Sequence, residues 1–140
     1  MFKCLIIDDE VPARALISNH LSKLPDFVVV QSFSNAIEAF VFLQQNQVDL
    51  IFLDVQMPKM SGIELIKSLI KKPTIILTTA FRDYAVDGFE LEVFDYLLKP
   101  IQISQLVNAV EKAIKLCNSN AQQSIERFDT LRQNLKDTVL

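Results

Sequence analysis

Glycine is scarce in this sequence: among 140 residues there are two, Gly62 and Gly88, so neither a GxGxxG dinucleotide loop nor a glycine-rich phosphate cradle can be written. Tryptophan is absent, and the single histidine, His20, falls inside a helical pattern, where it reads as a surface or rim residue. The two cysteines, Cys4 and Cys117, stand in apolar segments far apart, with no CxxC or Cys/His spacing suited to zinc. Buried thiols in a reducing compartment are the expectation. No block of lysine and arginine occurs and the net charge is −3, so nucleic acid and anionic lipid find no electrostatic footprint. No apolar run approaches the length of a membrane span, and the one after Met1 is too short for a signal peptide and meets acidic residues at once. A cytoplasmic protein is expected.

What remains is a balanced composition, 50% hydrophobic and 22% charged, in a length that suits one domain with its own core. Apolar runs of strand length, Phe2–Ile7, Phe27–Phe33, Asp49–Leu53, Thr74–Thr78 and Phe94–Leu98, alternate with helical patterns. The helices are expected at Pro12–Lys23, Asn35–Gln45, Ser61–Ile70, Tyr84–Glu90 and Ser104–Cys117. Pro12 suits a first helical turn, and Ser34 or Asn35 and Ser104 are candidate caps. The first, third and fourth strands are nearly continuous Ile, Leu, Val and Phe, as in strands covered on both faces. Strict β-α alternation predicts an α/β fold, an open doubly wound parallel sheet of five strands with five helices.

After Cys117 the texture turns polar, Asn118-Ser119-Asn120-Ala121-Gln122-Gln123-Ser124, which sets a domain boundary: 1–117 as the folded unit, 118–140 as a linker or tail. Ile125, Phe128, Leu131, Leu135 and Val139 can line one side of a helix, leading to a further domain or forming a dimer seam, and a frayed tail fits equally.

In open parallel sheets ligands bind beyond the carboxyl ends of the strands. Five polar groups from four strand ends converge there: Asp8 and Asp9 after the first strand, Asp54 at the end of the third, Thr79 after the fourth and Lys99 after the fifth. Clustered carboxylates repel one another unless a cation compensates them, and oxygen donors favour a hard ion, Mg²⁺ or Mn²⁺. Such a site suits phosphoryl transfer, with Asp54 as nucleophile, Lys99 neutralising equatorial oxygens and Thr79 donating a hydroxyl hydrogen bond. Each feature alone has a plain reading as a solvated loop, a strand end or a turn. Their joint placement on one edge argues for chemistry.

Ile6-Ile7-Asp8-Asp9-Glu10, Leu53-Asp54-Val55-Gln56-Met57-Pro58 with Ser61-Gly62, Thr79-Ala80 and Leu98-Lys99-Pro100, in this order and spacing, resemble the response-regulator receiver domain. The resemblance runs from Phe2 to about Cys117. It implies a flavodoxin-like sheet of order 2-1-3-4-5, phosphorylation of Asp54 by a histidine kinase, and Mg²⁺ held by Asp9, Asp54 and the Gln56 backbone carbonyl, with Asp8 acting through water. It also implies that Lys99 pairs with the phosphoryl group, and that Thr79 and Tyr96 form a switch reshaping the face of the fourth helix, fifth strand and fifth helix. Thr78 competes with Thr79 for the hydroxyl position, and the small Ala80 favours Thr79. The stretch from Thr79 to Glu90 followed by Phe94 to Pro100, and Asp8-Asp9-Glu10 leading to Pro12-Ala13-Arg14, are similar to receivers that precede a LytTR-type DNA-binding domain. A phosphorylation-dependent homodimer, formed through Tyr84, Phe89 and Glu92, is the implied output.

Two other function classes fit the sequence less well. A haloacid-dehalogenase-type phosphatase needs a general acid two residues after its nucleophile, where this chain has Gln56. An interaction module without phosphoryl chemistry is disfavoured by the presence of all five polar groups.

Overall fold

The computed structural model describes residues 1–80 and 93–116. Five strands, β1 (Phe2–Ile7), β2 (Phe27–Phe33), β3 (Leu50–Asp54), β4 (Thr74–Thr79) and β5 (Asp95–Leu98), form one parallel sheet of order β2-β1-β3-β4-β5. Crossovers are made by α1 (Val11–Leu21), α2 (Ala36–Gln45) and α3 (Gly62–Ser68), and a last helix spans 103–116. The doubly wound, flavodoxin-like expectation holds. The helix expected at Tyr84–Glu90 and the tail from 118 lie outside the described residues, so four of the five expected helices are seen.

The apolar runs form strands for the reason their composition suggests. β3 is buried along its whole length and β1 and β4 along most of theirs, each covered on both faces, whereas β2 at the sheet edge is largely exposed. Alternation divides the core in two. Cys4, Ile6, Phe52, Ile76 and Leu97 pack under α1 and the last helix, through Ile17, Leu21, Leu106 and Val110. Leu5, Ile7, Ile51, Leu53 and Leu77 face α2 and α3, through Ala39, Leu65 and Ile66. Each fully buried large side chain contributes about 1.5–3 kcal/mol.

Local signals fix several boundaries. Asn35 caps α2, its side chain accepting a hydrogen bond from the Glu38 amide at 2.9 Å, and Ser61 caps α3 by accepting from Glu64 at 3.1 Å. Ser61 therefore precedes its helix, and α3 stops at Ser68, short of the expected Ile70. Ser104 is not the cap of the last helix: that helix begins at 103, and the Leu106 amide donates to the Gln102 carbonyl. The β3–α3 turn carries Lys59 at φ 71, a left-handed conformation that bends the chain back toward the sheet.

Candidate functional site

The ladder continues one residue beyond β1 and β5: the Asp8 amide donates to the Phe33 carbonyl and the Lys99 amide to the Thr79 carbonyl. The side chains that follow the apolar runs are thereby fixed at the carboxyl edge. The structure brings Asp8, Asp9, Asp54 and Lys99 together there, and adds Glu10. One carboxylate oxygen from each of the four acids lies within 4.8 Å of the others.

Lys99 is the hub. Its Nζ lies 3.0 Å from Asp8 Oδ2, 3.2 Å from Glu10 Oε1 and 3.3 Å from Asp54 Oδ2. Asp8 and Asp54 are buried, at 1% and 3% exposure. Asp8 Oδ2 accepts no directed hydrogen bond. The ammonium beside it forms an ion pair without hydrogen-bond geometry. The other oxygen, Oδ1, accepts from the Glu10 amide at 2.9 Å, and the Arg14 guanidinium donates to the Asp8 carbonyl at 2.6 Å. Asp54 Oδ1 accepts from the Gln56 amide at 3.3 Å.

The electrostatics follow from this crowding. Burial, then the Asp8 charge and a hydrogen bond with Asp9, push the Asp54 carboxyl up to about 7, with Lys99 offsetting only part. Burial pulls Lys99 down, but the carboxylates of Asp8, Asp54 and Glu10 outweigh it and hold the ammonium above its ordinary value. A carboxyl raised by its buried surroundings, gathered with other carboxylate oxygens, forms a donor set for a hard divalent cation.

Thr78 stands level with Asp54, and Thr79 occupies the last paired position, opposite Leu98. Alternation places Thr78 with Asp8, Asp54 and Lys99 on the side of α1 and the last helix. Thr79 and Tyr96 fall on the side of α2 and α3, Thr79 buried and Tyr96 37% exposed. The expected hydroxyl and aromatic thus share one face of the sheet, across its rim from the carboxylates. Gln56 is exposed in the loop after β3.

Gly62 approaches the Asp54 backbone: a Cβ there would lie 2.3 Å from the Asp54 carbonyl oxygen, and its amide donates to the Val55 carbonyl at 2.9 Å. Glu10 and Arg14 belong to the motifs that carry the family resemblance, and the sequence alone points to no role for either in the site. The third acid of Asp8-Asp9-Glu10 was the available signal for Glu10. Arg14, one helical turn further on, gave none. Beside the cluster opens a cleft of about 560 Å³ lined by Glu10, Pro12, Ala13, Leu16, Lys99 and Ile101, among others. Among the described residues no helix is long and apolar enough to cross a membrane.

Residues 4–111 match the family model of the response regulator receiver domain. An uncharacterized response regulatory protein of Shewanella oneidensis is 42% identical over 117 residues, 82% of this chain and 50% of that protein. The transcriptional regulatory protein YpdB of Escherichia coli K12 is 33% identical over 140 residues, 98% of this chain and 57% of that protein. The chain thus spans about half the length of these curated relatives. Among solved structures, the response regulatory domain of MrkE from Klebsiella pneumoniae superposes with a TM-score of 0.78 at 36% identity, covering 84% of this chain and 98% of that one. TrrA of Thermotoga maritima, solved in complex with Mg(2+)-BeF, gives 0.70 at 28% identity, covering 81% and 99%.

Proposed function

Because the chain belongs to the response regulator receiver domain family, we propose that it is the phosphoacceptor module of a transcription regulator, modified on Asp54 by a histidine kinase. The observation that carries the reading is one half-buried ammonium, Lys99, shared by the buried Asp8 and Asp54 at the carboxyl edge of a parallel sheet. A lysine so placed balances the resting carboxylates and can turn to phosphoryl oxygens when they arrive.

In the proposed reaction an Asp54 carboxylate oxygen attacks phosphorus while the P–N bond of the kinase's phosphohistidine breaks. The imidazole leaves with the bonding pair, and Asp54 becomes an acyl phosphate. Asp9, Asp54 and the Gln56 backbone carbonyl would hold Mg²⁺ or Mn²⁺, with Asp8 acting through water; the Asp8 oxygen that accepts no hydrogen bond and the gathered carboxylates of Asp8, Asp9 and Asp54 fit such an ion. When bound, the ion supplies positive charge to the developing phosphoryl oxygens. Lys99 supplies more, and the Thr79 hydroxyl donates to one of those oxygens.

Thr79 and Tyr96, on a common face, are the proposed switch: the hydroxyl moves toward the phosphoryl group and the ring turns inward into the space vacated. The output is a homodimer controlling a LytTR-type DNA-binding domain, in the cytoplasm, with no direct nucleic-acid contact by this segment. The module is a signalling acceptor that assists its own phosphorylation and dephosphorylation and does not turn over an external substrate. The test is intact-protein and peptide mass spectrometry after incubation with acetyl phosphate and Mg²⁺. One phosphoryl group on Asp54, absent from Asp54→Asn and from samples in EDTA, is expected. No adduct, with Mg²⁺ binding shown and rapid hydrolysis excluded by beryllofluoride, would leave an interaction module without phosphoryl chemistry.

A further inference from the structure

Glu10 is the acid that the proposed reaction does not use, although it touches the group that the reaction needs most. Its Oε1 is 3.2 Å from Lys99 Nζ. It does so from a fixed base: the Glu10 amide is bonded to Asp8 Oδ1, the Arg14 guanidinium holds the Asp8 carbonyl, and the Arg14 amide donates to the Glu10 carbonyl at 3.2 Å. The turn between β1 and α1 therefore presents the Glu10 side chain to Lys99 from a braced backbone. Glu10 itself is 61% exposed and lines the cleft beside the site, whereas Asp8 and Asp54 are enclosed.

We propose that Glu10 is a positioning residue that tethers the Lys99 ammonium in the resting site and must release it for Lys99 to engage a phosphoryl group on Asp54. The inference rests on the phosphoacceptor reading above and adds a restraint to it. Three carboxylates now share one ammonium with three donors. A phosphoryl group introduces a fourth claimant, and the exposed, water-solvated Glu10 is the partner whose loss costs least. The tether slows phosphorylation at the step where Lys99 turns.

The restraint is weak by design of its exposure. An exposed ion pair of this type is worth a factor of about two to five in an equilibrium. The test is a set of acetyl phosphate titrations at saturating Mg²⁺ on the wild-type chain, Glu10→Gln and Glu10→Asp, reading the maximal phosphorylation rate, the donor concentration at half that rate and the Mg²⁺ dependence. Gln removes both tether and charge; Asp keeps the charge but is one methylene short of Lys99. Both variants should raise the maximal rate by about two- to fivefold, with the half-saturating donor and Mg²⁺ concentrations unchanged. Acceleration by Gln alone, through a lower half-saturating donor concentration, would mean simple repulsion of an anionic donor and overturn the tether. Slower rates with weakened Mg²⁺ dependence in both variants would make Glu10 part of the cation site and overturn it equally, as would three identical titrations. If the wild-type chain itself takes no phosphoryl group, the phosphoacceptor reading fails first and the tether falls with it.

Discussion

Replacing Asp54 by Asn should make the resting protein more stable, and increasingly so as the pH rises. The folded-state carboxyl sits at about 7 against an ordinary value of 3.8, raised by burial and by the Asp8 charge. A carboxyl raised on folding binds its proton more tightly in the native state than in the unfolded one. Stability therefore falls as pH climbs from the unfolded value to the folded one, and the loss is complete above about 7. A shift of about three units corresponds to a ceiling of about 4 kcal/mol at 1.36 kcal/mol per unit. Solvent screening at the open mouth of the site, and the Lys99 contact that the variant gives up, reduce the expected net gain to about 1–2 kcal/mol at pH 8. The gain should be smallest near pH 4.5, where the native carboxyl is already neutral. Urea unfolding of both proteins in EDTA, at pH values from 4.5 to 8, measures the difference directly. A variant less stable than the wild type at pH 8, or a gap that narrows as pH rises, would falsify the account of Asp54 as a carboxylate held against its own charge.

The same proton should compete with the cation. Calorimetric titration between pH 5 and 7 should show Mg²⁺ affinity rising with pH, by up to about tenfold per unit, and levelling off above 7, with Asp9→Asn binding far more weakly at every pH. Gly62→Ala should destabilise the fold by about 1–3 kcal/mol, because the new methyl group meets the Asp54 carbonyl and the loop or strand end must shift. Its acetyl phosphate reactivity should drop as well, and a variant with wild-type stability and reactivity would show that the loop gives way freely. Tyr84, Phe89 and Glu92 lie outside the described residues; substitutions there should weaken phosphorylation-dependent self-association in sedimentation velocity runs while Asp54 labelling is preserved.

Much of the fold was legible because its signals are local and redundant. The uninterrupted apolar runs of β1, β3 and β4 demanded cover on both faces, and the strand-end rule then directed attention to Asp8, Asp9, Asp54 and Lys99, which the structure does bring together. The misreadings arose where a boundary depends on a single hydrogen bond. Ser104 has the chemistry of a cap, yet the chain turns earlier and Gln102 supplies the first carbonyl. Distances between side chains on different strands carry no linear signature either. Nothing in the string Asp8-Asp9-Glu10 says that the third acid reaches Lys99, because that depends on how Arg14 and the Asp8 side chain fold the turn back. The level of Thr78 and Thr79 likewise depended on register, which only pairing with β3 and β5 fixes.

The division of the polar groups between the two sides of the sheet has a mechanical consequence. Asp8, Asp54 and Lys99 stand on one side, Thr79 and Tyr96 on the other, and between them lies a close-packed wall that is intolerant of change. Motion on one side therefore reaches the other by way of the strand ends, where the packing stops, rather than through the wall. Tyr96, 37% exposed, stands outside that wall and can be exchanged without disturbing the packing around Asp8 and Asp54.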